Sequence, residues 1–512
     1  MSTPAPGPNP PASSPNPPAS RLTRSALGWA ELGRACRSGG ARAGLWGLGK
    51  EGQAALRKLR LLGVEPLLVD DAPGQDGVLS TAGGGLDALR GCQFVIKTPG
   101  ISPYRSEADQ LRAAGVTLLG GLSLWLNDAD RSRVVCVTGT KGKSTTSAVI
   151  GHLLRGLGYQ VMVGGNIGVA PYDPEAVNPE AVNSETVNSE AGGGYDYWVI
   201  EVSSYTATDL AVTPPVTAVT ALHPDHLPWH GGVEQYYRDK LSATSQPGAG
   251  LTVANGDSEL LRERAALLGP RVQWVSEADQ PGAGWMDVLG LPGRHNRRNA
   301  LIARAVLRAL AAAAGDPALA AAAADDQRLA AAAAGFTPLP SRLTPVGAVD
   351  GVTFIDDSLS TNVLPTLAAL DSFPGRRVAL IVGGQDRGID YRPLADAVLQ
   401  REAATLVRTL PDSGPRITVA FAAAAPATAA PAGGFHGIRD CASLDEAVAD
   451  AFGWARPDGV VLLSPAAPSF GRFRDYRDRA EHFAQAMRDC AKATSSPAVP
   501  SSPAAPRGPA VR

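Results

Sequence analysis

The chain has 512 residues, 47 Lys and Arg against 49 Asp and Glu, 19% charged residues and a formal net charge of −2. That length predicts about three domains, and the balanced charge leaves no basic field to gather a phosphate backbone, which excludes nucleic acid as a partner class. Five scattered cysteines (Cys36, Cys92, Cys136, Cys441 and Cys490) form no C-x-x-C pair and no disulfide-like spacing, so they read as reduced thiols of a cytoplasmic protein.

Taken in chain order, residues 1 to 22 are rich in Pro, Ser and Ala and read as a disordered tail without the apolar centre of a secretory signal. From 23 to 131, apolar runs (ARAGLWGLG, VEPLLVDD, CQFVIKTPG) alternate with amphipathic stretches such as Glu51 to Leu62, the pattern of βαβ units and a parallel sheet. A second series runs from 132 to 336, through SRVVCVTGTKGKST, YDYWVIEVSS, VTAVTALHPDH and GLTVANGD to an Ala-rich helix. Within it, 174 to 193 is a short pentad repeat, too brief for a solenoid and expected to be a surface insertion. A third series from 337 to 491 holds GVTFIDDS, RRVALIVGG and DGVVLLSPAA, and 492 to 512 is again Pro-, Ser- and Ala-rich, a second expected tail. The fold class is therefore three successive α/β domains. No segment approaches the roughly 18 charge-free apolar residues of a membrane span.

Gly47, Leu48 and Gly49, with Gly52 completing G-x-G-x-x-G, follow a strand and open a helix, the arrangement that sets a diphosphate on a helix N-terminus. Asp70 ends the next strand, where it can meet a ribose or a base. A dinucleotide such as NAD and a plain tight turn remain open readings of this loop taken alone. Gly139, Thr140, Lys141, Gly142, Lys143, Ser144 and Thr145 form a strand–loop–helix junction. There backbone N–H groups can cradle ATP phosphates, Lys143 can neutralise them and the Ser144 or Thr145 hydroxyl can hold Mg²⁺. An ordinary P-loop has glycine five residues before Gly142, yet position 137 is valine, which disfavours ordinary GTPases and kinases. Glu201 stands at the end of an apolar strand, where open α/β sheets place ligands, with Ser203 beside it. His223, His226 and His230 cluster, but no cysteine joins them and Pro224 and Pro228 interrupt any continuous helix, so zinc is disfavoured.

The shortened loop Gly-Thr-x-Gly-Lys-Ser-Thr resembles that of the Mur ligase and folylpolyglutamate synthase superfamily, and the likeness runs from about Ala43 to about Arg488. The resemblance implies a first domain of Rossmann type for a UDP-linked substrate, a central P-loop-like ATPase domain and a Rossmann-like closing domain. It assigns Gly47, Leu48, Gly49, Asp70, Asn166 and Ser203 to the UDP-substrate, and Glu201, with Asp225 and His226, to magnesium. Lys240 corresponds to the lysine that this family carbamylates, which turns an ammonium into a hard oxygen ligand. Asn296 and Asn299 match the amides on adenine, and Arg342 and Asp357 match groups that reach the nucleotide. Thr361, Arg387, Ser469 and Tyr476 match the loops that hold glutamate, and Arg387 has the fork to take a carboxylate. The implied cofactors are ATP and Mg²⁺. The implied reaction joins D-glutamate to UDP-N-acetylmuramoyl-L-alanine through an acyl phosphate, in a cytoplasmic monomer. Two departures bear on the amino acid: Leu359 stands where D-glutamate enzymes of the family carry lysine, and Thr206 where glutamine is frequent. They leave L-glutamate, or another amino acid of a sister ligase, as the alternative.

Overall fold

Residues 27–74, 76–177, 194–279, 284–425 and 434–495 are described by a computed structural model of the chain. The expected tail at 1–22, positions 178–193 of the repeat and 496–512 lie outside them. Pro174–Val177, at the start of the repeat, forms one helical turn. The final helix runs Tyr476–Ser495, which corrects the expected start of the second tail: residues 492–495 continue the helix, and Lys492 ion-pairs with Asp489 one turn back.

The first sheet holds β1 (Ala43–Trp46), β2 (Leu67–Asp70), β3 (Leu79–Ser80), β4 (Phe94–Lys97) and β5 (Thr117–Leu119), in the order β3-β2-β1-β4-β5. Every pairing is parallel. The order reverses beside β1, which opens a crevice at the carboxyl ends of β1 and β4. The second sheet holds β6 (Val134–Thr138), β7 (Val161–Gly165), β8 (Tyr197–Glu201), β9 (Val216–Val219), β10 (Leu251–Asn255) and β11 (Val272–Val275), ordered β11-β10-β9-β6-β8-β7 and again parallel. Strands β6, β8 and β9 are buried along their whole length, as a sheet covered on both faces requires. One apolar cluster carries Leu45, Leu122 and Trp125 of the first layer together with Cys136, Trp198 and Ile200 of the second.

The third sheet holds β12 (Thr344–Val349), β13 (Val352–Asp356), β14 (Val378–Val382), β15 (Thr405–Thr409), β16 (Phe435–Asp440) and β17 (Val460–Leu463), ordered β12-β13-β17-β14-β15-β16. Its strands are parallel except β12, which pairs antiparallel with β13. Asp350 and Gly351 make that hairpin turn with φ of 46° and 80°, the left-handed pair that Asp-Gly adopts. The three sheets fall into two compact units. Residues 1–285 and 299–334 form one, and 286–298 with 335–512 form the other.

All five cysteines are free. Among the described residues no helix is long and apolar enough to cross a membrane.

Candidate functional site

Strand β6 hands the chain to the loop at 139–142, and the helix Lys143–Gly156 begins directly after it. Gly142 caps that helix at φ 87°, and a Cβ there would stand 2.7 Å from Asn299 Oδ1. Gly139 has φ 132°, and its Cβ would stand 2.3 Å from Thr220 Oγ1. Both positions therefore need glycine, for backbone conformation and for close approach alike.

Side chains distant in sequence pin the same loop. Thr140 N donates to Ala221 O at 2.7 Å, Thr140 Oγ1 to His223 O at 2.9 Å and Thr220 Oγ1 to Lys141 O at 2.5 Å. The Tyr236 hydroxyl shares a 2.8 Å hydrogen bond with Thr140 Oγ1. Lys143 Nζ donates to Thr140 O at 3.3 Å, so this ammonium folds over the loop it follows. Ser144 and Thr145 are buried in the first helical turn. A glycine loop whose backbone is fixed from outside, leading into a helix N-terminus, is an anion site. Thr220 and Tyr236 belong to it although the motif did not indicate them. The one signal in the sequence was Tyr236 lying four residues before Lys240 on one helix, hence on the same face.

Glu201 closes β8 and is 2% exposed. Its Oε1 accepts from Asn166 Nδ2 at 2.7 Å, and its Oε2 is buried with no hydrogen-bond partner. Asn166 follows β7 directly, and its own N–H donates to Glu201 O at 2.9 Å. The structure thus places the Asn166 amide on the carboxylate. Lys240 is equally buried, at 2% exposure, and its Nζ donates to Gly139 O at 3.1 Å. Burial drives its pKa well below the usual lysine range. The Lys143 and Lys141 charges add to that effect, against Asp225 and Glu201.

His226 caps the short helix Leu227–His230 in a left-handed conformation, φ 52°. Partial burial lowers its pKa, and Lys240, Lys141 and Lys143 lower it further against Asp225, so the imidazole is a neutral ligand group at pH 7. Asp225 faces Lys141 Nζ at 3.7 Å. His230 is buried in a separate chain of contacts: Nδ1 to Asp239 Oδ2 at 2.6 Å and Nε2 to Ser204 Oγ at 3.0 Å. The three histidines therefore fall into different surroundings: His226 half-exposed, His223 part-buried and His230 in the core. Among the described residues no group of three or more His, Cys, Asp or Glu side chains is placed to hold a metal alone. Ser203 caps the helix Ser204–Ala207, its Oγ accepting from Thr206 N at 3.0 Å.

In the first sheet, Gly47 has φ 96° and a Cβ there would meet Thr98 Oγ1 at 2.1 Å. Leu48 N donates to Asp70 Oδ2 at 2.6 Å, so Asp70, at the end of the neighbouring β2, holds the glycine loop. Gly49 caps the helix Lys50–Leu61. Glu51 in its first turn has a pKa raised to about 7 by burial and by Asp209, against Tyr172 and Lys97. Lys97 and Asp209 form a buried ion pair at 2.7 Å. Sequence reasoning named neither partner of that pair, because nothing local marks residues 112 positions apart as neighbours.

In the second unit, Asp357 follows β13 and accepts from Ser464 Oγ at 2.7 Å, from Leu343 N at 3.2 Å and from Ser360 Oγ. Burial raises its pKa to about 6. Thr361 and Ser469 lie on the loops after β13 and β17, and Arg387 on the loop after β14. Arg387 is exposed, with Nε donating to Gln385 Oε1 at 3.1 Å. Tyr476 begins the final helix, and its hydroxyl accepts from Arg477 Nε at 3.2 Å. Arg342 lies two residues before β12, its N–H donating to Thr344 Oγ1 at 3.4 Å. Asn296 belongs to this unit and Asn299 to the other. Asn296 Nδ2 donates to Pro292 O at 2.7 Å.

Residues 137–288 match the family model of the Mur ligase middle domain, and 341–467 that of the Mur ligase, glutamate ligase domain. UDP-N-acetylmuramoyl-L-alanine--L-glutamate ligase of Xanthomonas euvesicatoria is 39% identical over 485 residues, 86% of this chain and 94% of that protein. The protein of the same name from a Micromonospora species is 38% identical over 476 residues, 87% of this chain and 96% of that one. Among solved structures, the MurF ligase of Thermotoga maritima in complex with ADP has a TM-score of 0.49 at 15% identity, covering 88% of this chain and 97% of that one.

Proposed function

Since this chain belongs to the Mur ligase family, we propose that it joins glutamate to UDP-N-acetylmuramoyl-L-alanine at the expense of ATP, and that the amino acid is L-glutamate. The first part of this reading rests on the middle-domain and glutamate-ligase-domain matches and on relatives that share most of their length with the chain. The stereochemistry rests on the names those relatives carry and on Leu359, which removes the ammonium expected of a D-glutamate site. The alternative that the sequence left open is thereby preferred over D-glutamate.

The observation that carries the reading is the meeting of three groups near the carboxyl ends of β6 and β8: the phosphate loop, the partnerless Oε2 of Glu201, and the buried amine of Lys240, which donates to Gly139 O at 3.1 Å. A buried carboxylate oxygen without a donor costs about 1–3 kcal/mol unless something occupies it, and a divalent cation suits it. Magnesium takes one or two protein oxygens and completes its shell with water and phosphate, so the lack of a self-sufficient cluster fits Mg²⁺ with ATP. Glu201, Ser144, His226 and the oxygens of a Lys240 carbamate would hold it, and when bound it would supply charge neutralisation on the phosphates. Burial lowers the Lys240 pKa and so favours the unprotonated amine, the form that adds CO₂.

Lys143 and the loop N–H groups would align the outer phosphates, while Asn296 and Asn299 would face adenine and Arg342 and Asp357 the nucleotide. The Gly47 to Gly49 loop, braced by Asp70, would seat the UDP diphosphate, and Thr361, Arg387, Ser469 and Tyr476 the glutamate. The muramoyl-alanine carboxylate would attack the γ-phosphate of ATP, breaking its bond to the β–γ bridging oxygen and releasing ADP, and the glutamate amine would then displace phosphate from the acyl phosphate, losing a proton as the amide forms. No protein nucleophile is needed; alignment and electrostatics do the catalysis.

The test is phosphate release and product chromatography with purified protein, ATP, Mg²⁺ and UDP-N-acetylmuramoyl-L-alanine, with L- or D-glutamate supplied in parallel. Release that depends on L-glutamate, with an L-alanyl-L-glutamate product, is expected. Release with neither amino acid overturns the ligase reading, and preference for D-glutamate overturns the stereochemical part alone.

A further inference from the structure

In the unit built on the third sheet, the loops after β13, β17 and β14 lie side by side, because those strands are neighbours in the order β13-β17-β14. They carry Thr361, Ser469 and Arg387 respectively, yet none of these side chains ties one loop to the next. The Arg479 guanidinium does so from below. It projects from the final helix, is 0% exposed, and donates from Nη2 to Ser358 O at 2.7 Å and from both Nη1 and Nη2 to Ala467 O at 3.2 Å. The third loop comes as close: a Cβ on Gly384 would stand 3.1 Å from Arg479 Nη1 and 2.4 Å from Pro468 O.

A helix that only had to pack would bury an apolar side chain at this position, as it does one turn later with Phe483, also 0% exposed. Burying a guanidinium against neutral carbonyls carries a desolvation penalty of several kcal/mol. Burial correspondingly lowers its pKa to about 10 while Asp356 and Asp357 act against the fall. The compensating property is the planar fork, which sets two carbonyls at a fixed spacing as no apolar group and no ammonium can. Two further backbone bonds, Gly383 N to Pro465 O at 2.7 Å and Gln385 N to Pro468 O at 2.9 Å, lock the third loop to the second, which Arg479 holds through Ala467.

We propose that Arg479 is the positioning residue of the glutamate pocket, a buried fork that ties the Ser358 loop to the Ala467 loop, to which backbone bonds join the Gly384 loop, and so holds in place the residues that take the amino acid. This rests on the ligase reading above. Among the described residues its hydrogen bonds go to the Ser358 and Ala467 carbonyls and to none of the groups assigned to the nucleotide or the UDP-substrate, so its loss should fall on the amino-acid half of the reaction.

Full-length Arg479→Lys and Arg479→Met variants test the idea by two readouts. In the first, hydroxylamine replaces glutamate: it displaces phosphate from the acyl phosphate and leaves a hydroxamate, which reports the first half-reaction without using the loops. In the second, KM is measured separately for glutamate, ATP and UDP-substrate. The expected result is hydroxamate formation within about twofold of wild type and a glutamate KM raised about tenfold or more, the loss of roughly one charge-assisted hydrogen bond. The other two KM values should stay within about twofold. A glutamate KM that does not move, equal losses in both half-reactions, or failure of both variants to fold would each overturn the proposal. No hydroxamate from the wild-type protein would instead overturn the ligase reading beneath it.

Discussion

Asn166→Ala separates two roles for one side chain. The resemblance puts this amide on the sugar-nucleotide, while the structure puts it on Glu201 Oε1 at 2.7 Å, the sole hydrogen-bond donor that the carboxylate has. With the amide gone, nothing determines which oxygen Glu201 presents, and a hydrogen bond to a charged group worth about 1.5–3 kcal/mol is lost. Groups that orient a metal ligand in this way change metal affinity by about 10–100-fold. The expected outcome is therefore a rise of that size in the Mg²⁺ concentration giving half-maximal turnover, measured above the amount needed to saturate ATP. The rate should largely recover at saturating Mg²⁺, and the KM for UDP-substrate should hardly change. An unaltered Mg²⁺ curve with a raised UDP-substrate KM would refute the orienting role and return Asn166 to the sugar-nucleotide.

Lys143→Ala removes the ammonium that folds over the loop and should lower kcat by about 10²–10³, read by phosphate release; a wild-type rate would take Lys143 out of the mechanism. Lys240→Ala should be inactive and partly rescued by small added carboxylates, and stripping CO₂ from wild-type assays should lower their rate; activity indifferent to both would exclude a carbamate. Glu51, with a folded pKa of about 7 against an ordinary 4.5, binds its proton more tightly folded than unfolded. It therefore costs stability above pH 7 and stops doing so as pH falls toward 4.5, a difference of at most about 3 kcal/mol. Glu51→Gln should raise the thermal midpoint at pH 8 and lose that advantage near pH 4.5. A midpoint gap independent of pH would show that Glu51 is ionised alike in both states.

Much of the fold was legible because the strands that matter are buried on both faces. SRVVCVTG, YDYWVIEV, RRVALIVG and DGVVLLSP are continuous apolar runs ending in polar residues, and they became β6, β8, β14 and β17. The phosphate loop was legible for a related reason: Gly139 and Gly142 adopt backbone conformations and approaches that forbid a Cβ, so the motif states its own geometry. Its supports were not. Thr220 and Tyr236 lie about 80 and 96 residues from the loop they hold, and no local pattern reports a hydrogen bond across such a distance. Short β3, two residues long, is too brief for period or propensity to register. The division of the chain was also hidden, since Met286–Arg298 belongs to the unit of the third sheet while the next residues belong to the other.

The metal site and the amino-acid pocket mark where residue chemistry gives out, for different reasons. Among the described residues no cluster of ligating side chains exists to be found by spacing, as expected where a site for Mg²⁺ with ATP takes most of its oxygens from phosphate, water and, on the proposed reading, a modified lysine. What the structure adds is a carboxylate oxygen buried without a donor at the end of β8, and a buried lysine whose amine donates to Gly139 O just past the end of the adjacent β6. A cation and an added anionic group would complete them on the reading proposed above. The pocket is harder still, since on the proposal above its geometry depends on backbone that Arg479 holds through two carbonyl groups. Leu359 departs from the lysine expected of a D-glutamate enzyme, but a missing charge specifies no enantiomer. If Arg479 positions the pocket, stereochemistry follows from loops tied by a guanidinium more than a hundred residues away in sequence from the first of them.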